Sequence, residues 1–175
     1  MRRLVALALI ALAGCSVGGE ERTIDAGRVD DLVLQPADVG AGFHRTSVEN
    51  PAGDPTAEVR YRRIPPRPLG PLTIRSTASV LASSGDADRA LESDRSRLGD
   101  KANWLPIGEP GLGDESFAAT VVQRGVRSYT VFWRDDNATA SLDVRSLQDG
   151  FPFAEVFELA ERQQRRIAAT RGARR

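Results

Sequence analysis

The sequence predicts an α+β domain in which a curved antiparallel sheet, ending in a three-strand meander, packs against an amphipathic middle helix and a C-terminal helix. Three observations carry this reading. Residues 117–124, 129–134 and 138–144 are strand-like runs separated by Gly125 and by Asp135-Asp136-Asn137, residues suited to tight hairpin turns. Residues 72–83 place Ile74, Ala78, Val80 and Ala82 on one face, the alternation of a half-buried strand. Residues 153–170 bring Phe153, Phe157, Ala160, Gln164 and Ile167 into helical register.

Along the chain, Arg2 and Arg3 precede an uncharged apolar run from Leu4 to Ala13, the order of an export signal over residues 1–14. It is too short to span a bilayer, which takes roughly 20 apolar residues. The stretch "SVGGEERTIDAG" has almost no large apolar groups, so residues 15–27 read as a flexible tether of about 20 Å mean reach. A single domain is expected over 28–171, followed by a disordered tail at 172–175.

Within that domain, Val29, Leu32 and Val33 are at helical spacing before Pro36, Gly40 and Gly42, which predicts a short helix ending in a turn. Residues 43–48 then start the sheet. "NPAGDPTAE", 50–58, reads as a mobile loop, and "VRYRRIPPRPLGP", 59–71, as an edge strand running into a proline-rich turn.

After the strand at 72–83, Ser84 or Asp86 caps a helix of about three turns with Ala87, Ala90, Leu91, Asp94 and Leu98 in one stripe and Gly99 as its stop. "WLPIGEPGLGDES" is a turn-rich connection whose Trp104, Leu105 and Ile107 are expected to plug the edge of the core. In the last helix Glu155, Glu158 and Glu161 come early and Arg162, Arg165 and Arg166 late, which suits the helix dipole.

Composition narrows the function classes. Of the 24 basic residues two lie in the leader, so the remainder, with 24 acidic ones, carries a net charge near −2. The charges are interspersed, which is no nucleic-acid signature. Cys15 is the single cysteine and His44 the single histidine. Disulfides, cysteine-based zinc sites and multi-histidine sites are therefore ruled out, and neither a metal nor a cofactor is expected.

Candidate sites are few. Asp114, Glu115 and Ser116 put two carboxylates beside a hydroxyl, yet adjacent strand residues point to opposite faces, so a turn entering a strand is the better reading. His44 as a base for Ser116 has no nucleophile elbow to support it, and no catalytic residue is assigned. Arg60, Arg62, Arg63 and Arg67, beside Tyr61, form the local basic concentration of the domain. They are a candidate patch for anionic headgroups or wall polymers, against the plainer role of discouraging strand-to-strand aggregation. Trp104 and Trp133 read as core aromatics more than as a pocket lining. Asn137-Ala138-Thr139 also fits an N-glycosylation pattern.

Leu12-Ala13-Gly14-Cys15 resembles the lipobox of bacterial lipoproteins. The resemblance implies that the Cys15 thiol receives a diacylglyceryl group and that the chain is cut before it, leaving the mature protein anchored on the outer side of the membrane by its N-terminal lipid. The competing pattern, Ala11-Leu12-Ala13, implies cleavage after Ala13 and a soluble secreted protein. "LQPADVGAGF", "LGDESFA", "VFWRDDNATASL" and "LAERQQRRIA" are similar to stretches of small lipoprotein domains of high-GC bacteria, a group that implies no activity. The extracellular sensor domains of bacterial serine/threonine kinases are a further comparison, but those typically carry disulfides.

The resulting expectation is a lipid-anchored envelope domain that binds or scaffolds without catalysis. Its partner would be an apolar small molecule, held in the concave sheet face under the last helix, or an envelope protein or polymer. The alternative is an envelope hydrolase with a cleft joining His44 to a carboxylate or Ser116.

Overall fold

The computed structural model of the chain describes residues 23–49, 55–66 and 69–171. The signal peptide, Cys15, Arg67 and the tail at 172–175 lie outside the described residues. One antiparallel sheet of seven strands organises everything else. In chain order the strands are β1 Phe43–Glu49, β2 Thr56–Arg63, β3 Pro71–Val80, β4 Leu105–Gly108, β5 Glu115–Gln123, β6 Val126–Asp135 and β7 Ala138–Leu147. In space the order is β1-β2-β3-β7-β6-β5-β4, so the meander β5-β6-β7 joins the β1-β2-β3 meander through the long-range pair β3–β7. The sheet is open, with β1 and β4 as its edges.

The hairpin turns are where the sequence places them. Arg124 at φ 53° and Gly125 at φ 74° form the two-residue β5–β6 loop, whose left-handed backbone matches the twist of the flanking strands. Asp136, at φ 58°, turns β6 into β7.

Strand alternation divides the side chains between two faces. Ile74, Ser76, Ala78 and Val80 of β3 are buried on one face together with Val59 and Tyr61 of β2, Leu142 and Val144 of β7, and Val131 and Trp133 of β6. Helix α4, Phe153–Arg171, covers this face, assisted by the short helices α1, Val29–Leu32, and α2, Pro36–Val39. Helix α3, Ser84–Gly99, lies across the β6 and β7 part of the other face, turning Ala87, Leu91 and Leu98 inward.

Several local expectations change. The described end of the expected tether is packed: Ile24 is buried, its N–H donates to Asn137 Oδ1 at 2.7 Å, and Asn137 Nδ2 donates back to the Ile24 carbonyl at 3.1 Å. Residues 23–27 therefore belong to the domain, and Asn137 of the glycosylation-like triplet is buried as their clasp. Thr56 to Glu58, read as loop, are strand, and β2 is an inner strand because β1 pairs along its outer side.

The cap of α3 is Ser83, whose Oγ accepts from Asp86 N–H at 3.1 Å. In α4 the buried line is Val156, Leu159, Ala160, Gln163 and Ile167, with Phe153 and Phe157 only partly covered. Gln163 is tolerated inside because its amide is bonded at both ends. Leu105 and Ile107 do not plug the core; they are 65% and 37% exposed, since β4 is an edge strand beyond the reach of either helix.

Candidate functional site

Among the described residues, the middle of the sheet face under α4, expected to hold an apolar ligand, is filled by side chains. Trp133, Tyr61, Leu142, Val131 and Ile167 fill that face and are fully buried. Trp133 is held further by its indole N–H, which donates to Gln164 Oε1 at 2.8 Å.

A larger open space lies on the other face, where α3 leaves β2, β3 and the adjoining end of β7 uncovered. It is a groove of about 1160 Å³. Cross-strand register builds its floor in rows. The row nearest the β5–β6 turn runs Arg62, Thr73, Arg145, Ser128, Val121; the next runs Arg60, Arg75, Asp143, Thr130, Ala119. The third runs Glu58, Thr77, Ser141, Phe132, Phe117, and its two rings stack at 4.9 Å beneath α3. Asp94, Arg97 and Leu98 of α3, with Lys101 and Trp104 just beyond it, form one wall.

The electrostatics of the rows differ. Glu58 is almost buried and ion-paired to both Arg60 and Arg75, and Arg75 Nε donates to its Oε2 at 2.8 Å. Burial alone would raise the Glu58 carboxyl, but hydrogen bonds and charge from Arg75 and Arg60 outweigh it and hold the group below the usual carboxylate range. Asp143 goes the other way: burial pushes its carboxyl up, against the Thr130 hydroxyl and the Arg75 and Arg145 charges. Burial also raises Asp94, and Asp143 raises it further, while Arg97 opposes the rise.

The outermost row has no contact ion pair: Arg145 acts on Asp143 only through longer-range charge. Among the described residues no carboxylate comes within ion-pair distance of Arg62 or Arg145, and Lys101 meets only the Trp104 ring, at 5.8 Å. Six cationic side chains line the groove with two carboxylates, Asp94 and Asp143, and Glu58 at the edge of the floor supplies a third, engaged by Arg60 and Arg75.

The arginine patch read from the sequence is split by this geometry. Arg60 and Arg62 line the groove. Arg63, one residue on, turns to the opposite face, where its guanidinium lies 4.3 Å over the Phe43 ring and its Nε donates to the Pro71 carbonyl at 3.2 Å. Arg75, Lys101 and Arg145 were not singled out, although the polar alternate positions of β3 and β7 carry the signal.

The other candidates resolve into structure. Ser116 is buried and its Oγ accepts from the N–H groups of Gly111 and Leu112 at 3.0 and 3.1 Å. Asp114 Oδ2 accepts from Asp136 N–H at 2.7 Å and from Arg134 at 3.1 Å, and Glu115 pairs with Arg95. The stretch is thus a turn entering a strand. Five strand spacings, roughly 24 Å, separate His44 on β1 from Ser116 on β5, so the two do not form a dyad. Trp104 is half-buried at the groove's rim, not in the core. Among the described residues no three His, Cys, Asp or Glu side chains are grouped to hold a metal ion, and no helix is long and apolar enough to cross a membrane.

These features define an α+β domain whose open antiparallel sheet is packed on one face and presents a polar groove on the other. The same fold occurs in the extracellular domain of PknH from Mycobacterium tuberculosis, with a TM-score of 0.60 and 8% sequence identity over 88% of this chain and 100% of that one. At that identity the likeness is one of fold. No protein-family model matches the sequence, and no curated protein matches it.

Proposed function

We propose that the chain is a non-catalytic binding domain of the cell envelope, anchored outside the membrane by lipid on Cys15, and that it holds its ligand in the groove between α3 and the uncovered half of the sheet. The observation that carries the reading is the groove itself: about 1160 Å³ of open space over charged and hydroxyl side chains, on a sheet whose other face is fully packed. Its size is at the upper limit of small-molecule sites, which run to about 1,000 Å³. The leader and lipobox-like run support an exported, anchored chain, and the fold shared with an extracellular domain is consistent with that compartment.

Mass spectrometry of the full chain taken gently from its native membrane tests both halves. The expected result is a mature protein beginning at a diacylated Cys15, carrying a retained ligand that Thr73→Trp on the groove floor displaces. An unmodified Cys15 overturns the anchor, and a ligand that survives Thr73→Trp overturns the groove.

A glycan hydrolase is the second reading, favoured by one observation: Asp94 and Asp143 both line the groove and both hold their protons more tightly than ordinary carboxyls. It predicts slow release of reducing ends from a bound oligosaccharide, abolished by Asp143→Asn.

A further inference from the structure

We infer that the ligand is an acidic oligosaccharide whose anionic group is seated between Arg62 and Arg145. This rests on the groove being the ligand site, and it names the chemistry that the floor is built to receive. Arg62 and Arg145 sit at the same register on β2 and β7 with Thr73 of β3 between them. Two strand spacings put their backbones roughly 10 Å apart, so two long guanidinium side chains flank a hydroxyl donor. A carboxylate or phosphate placed there accepts charge-assisted hydrogen bonds from both sides.

These cations are available, in contrast to their neighbours. Glu58 already engages Arg60 and Arg75, and Asp94 engages Arg97. The imbalance is local: the whole chain has 24 basic and 24 acidic residues. Arg62 and Arg145 thus stand side by side without a contact ion pair in a chain whose charges balance overall.

The rest of the groove describes the body of the ligand. Thr73, Ser128 and Ser141 present hydroxyls, and the half-buried Trp104 offers a flat ring at the rim. Hydroxyl groups and a ring face suit a sugar chain, and the shortage of large apolar side chains on the uncovered floor does not suit an acyl tail. The volume is that of several sugar rings and not of one.

Placement favours a wall glycan over a lipid headgroup. The described residues begin at Thr23 and Ile24, beside Asn137 at one end of β7, whereas Arg145 stands roughly 25 Å along that strand toward the other end. In a chain tethered through residue 15, the cationic row thus faces away from the membrane that holds it.

Titration calorimetry on the full chain in detergent tests this with three probes: tetragalacturonic acid, neutral maltotetraose and dihexanoyl phosphatidylglycerol. Tetragalacturonic acid is expected to bind about tenfold or more tightly than maltotetraose, and the double variant Arg62→Ala/Arg145→Ala to lose about tenfold or more of that affinity. Arg165→Ala, exposed on α4 and remote from the groove, is expected to change it less than about twofold.

No binding of the acidic saccharide, equal binding of the neutral one, or an unchanged double variant would overturn the inference. Preference for the phosphatidylglycerol overturns it in favour of a lipid headgroup. The groove reading fails separately: a native ligand displaced by Thr73→Trp, or by Ser128→Trp if the former does not fold, keeps the groove as the site even when the saccharide does not bind.

Discussion

Ser76 Oγ donates to Gln163 Oε1 at 2.8 Å, joining the middle of β3 to α4 across 87 residues of sequence. The same hydroxyl accepts from Leu34 N–H at 3.0 Å, and Gln163 Nε2 donates to the Thr77 carbonyl at 2.9 Å. Both side chains are fully buried, so every member of this network needs its partner.

Ser76→Ala leaves the Leu34 N–H and Gln163 Oε1 unsatisfied and is expected to cost about 2–4 kcal/mol by denaturant unfolding. The double variant Ser76→Ala/Gln163→Leu should cost less than the two single changes added together. Full additivity would show that the two residues act independently.

Gly113 adopts φ +58°, and a Cβ built on it would lie 2.1 Å from the Arg134 carbonyl oxygen. Gly113→Ala is therefore expected to destabilise by about 3 kcal/mol or more, because backbone must move to admit the methyl group. Gly111, at φ +75° with open space around it, is the control. Gly111→Ala should cost only about 1 kcal/mol, and equal losses at the two positions would remove the close approach as the cause.

Glu58→Gln removes the carboxylate shared by Arg60 and Arg75. The expected outcome has two opposite signs: a loss of about 1–3 kcal/mol in stability, and tighter binding of acidic ligands once Arg60 lacks a counter-charge and Arg75 keeps only Asp143. Thermal unfolding and calorimetry on the same variant separate them.

Asp143 and Glu58 give opposite slopes of stability with pH. Folding raises the Asp143 carboxyl, so the native state holds more protons than the unfolded chain from the ordinary aspartate range up to the raised value; stability falls as pH rises through that window. Folding lowers Glu58, whose contribution is present above the ordinary glutamate range and is lost as pH falls through the depressed value. In melting curves taken from about pH 3 to 7, Asp143→Asn should abolish the decline that accompanies Asp143 ionisation and melt higher than the parent at neutral pH. A lower melting temperature at neutral pH would show that its pairing with Arg75 outweighs its burial.

The sheet's local grammar was legible in residues and its global pairing was not. Alternation at Ile74, Ala78 and Val80 and the turn residues Gly125 and Asp136 announce strands and hairpins because those signals are local. "DPTAE" hides the start of β2, since Ala57 is small and Glu58 reads as polar while both are buried in the pair with β3.

The candidate site depended on the nonlocal part. Arg62 and Arg145 become neighbours across Thr73 only because β3 pairs with β7, a choice made by packing of whole faces and not by any motif. Arg63 was grouped with Arg60 and Arg62 by proximity in sequence, and strand alternation sends it to the other side.

The segregation of the two faces fixes how the groove trades with solvent. With most of the sheet's aliphatic side chains committed to the α4 side, the floor of Arg, Thr and Ser residues is one that solvent wets, and an arriving molecule exchanges with water and counter-ions more than it buries hydrocarbon surface. Its heat of association should accordingly drift little with temperature, and rising ionic strength should loosen it, the inverse of the behaviour of a greasy cavity.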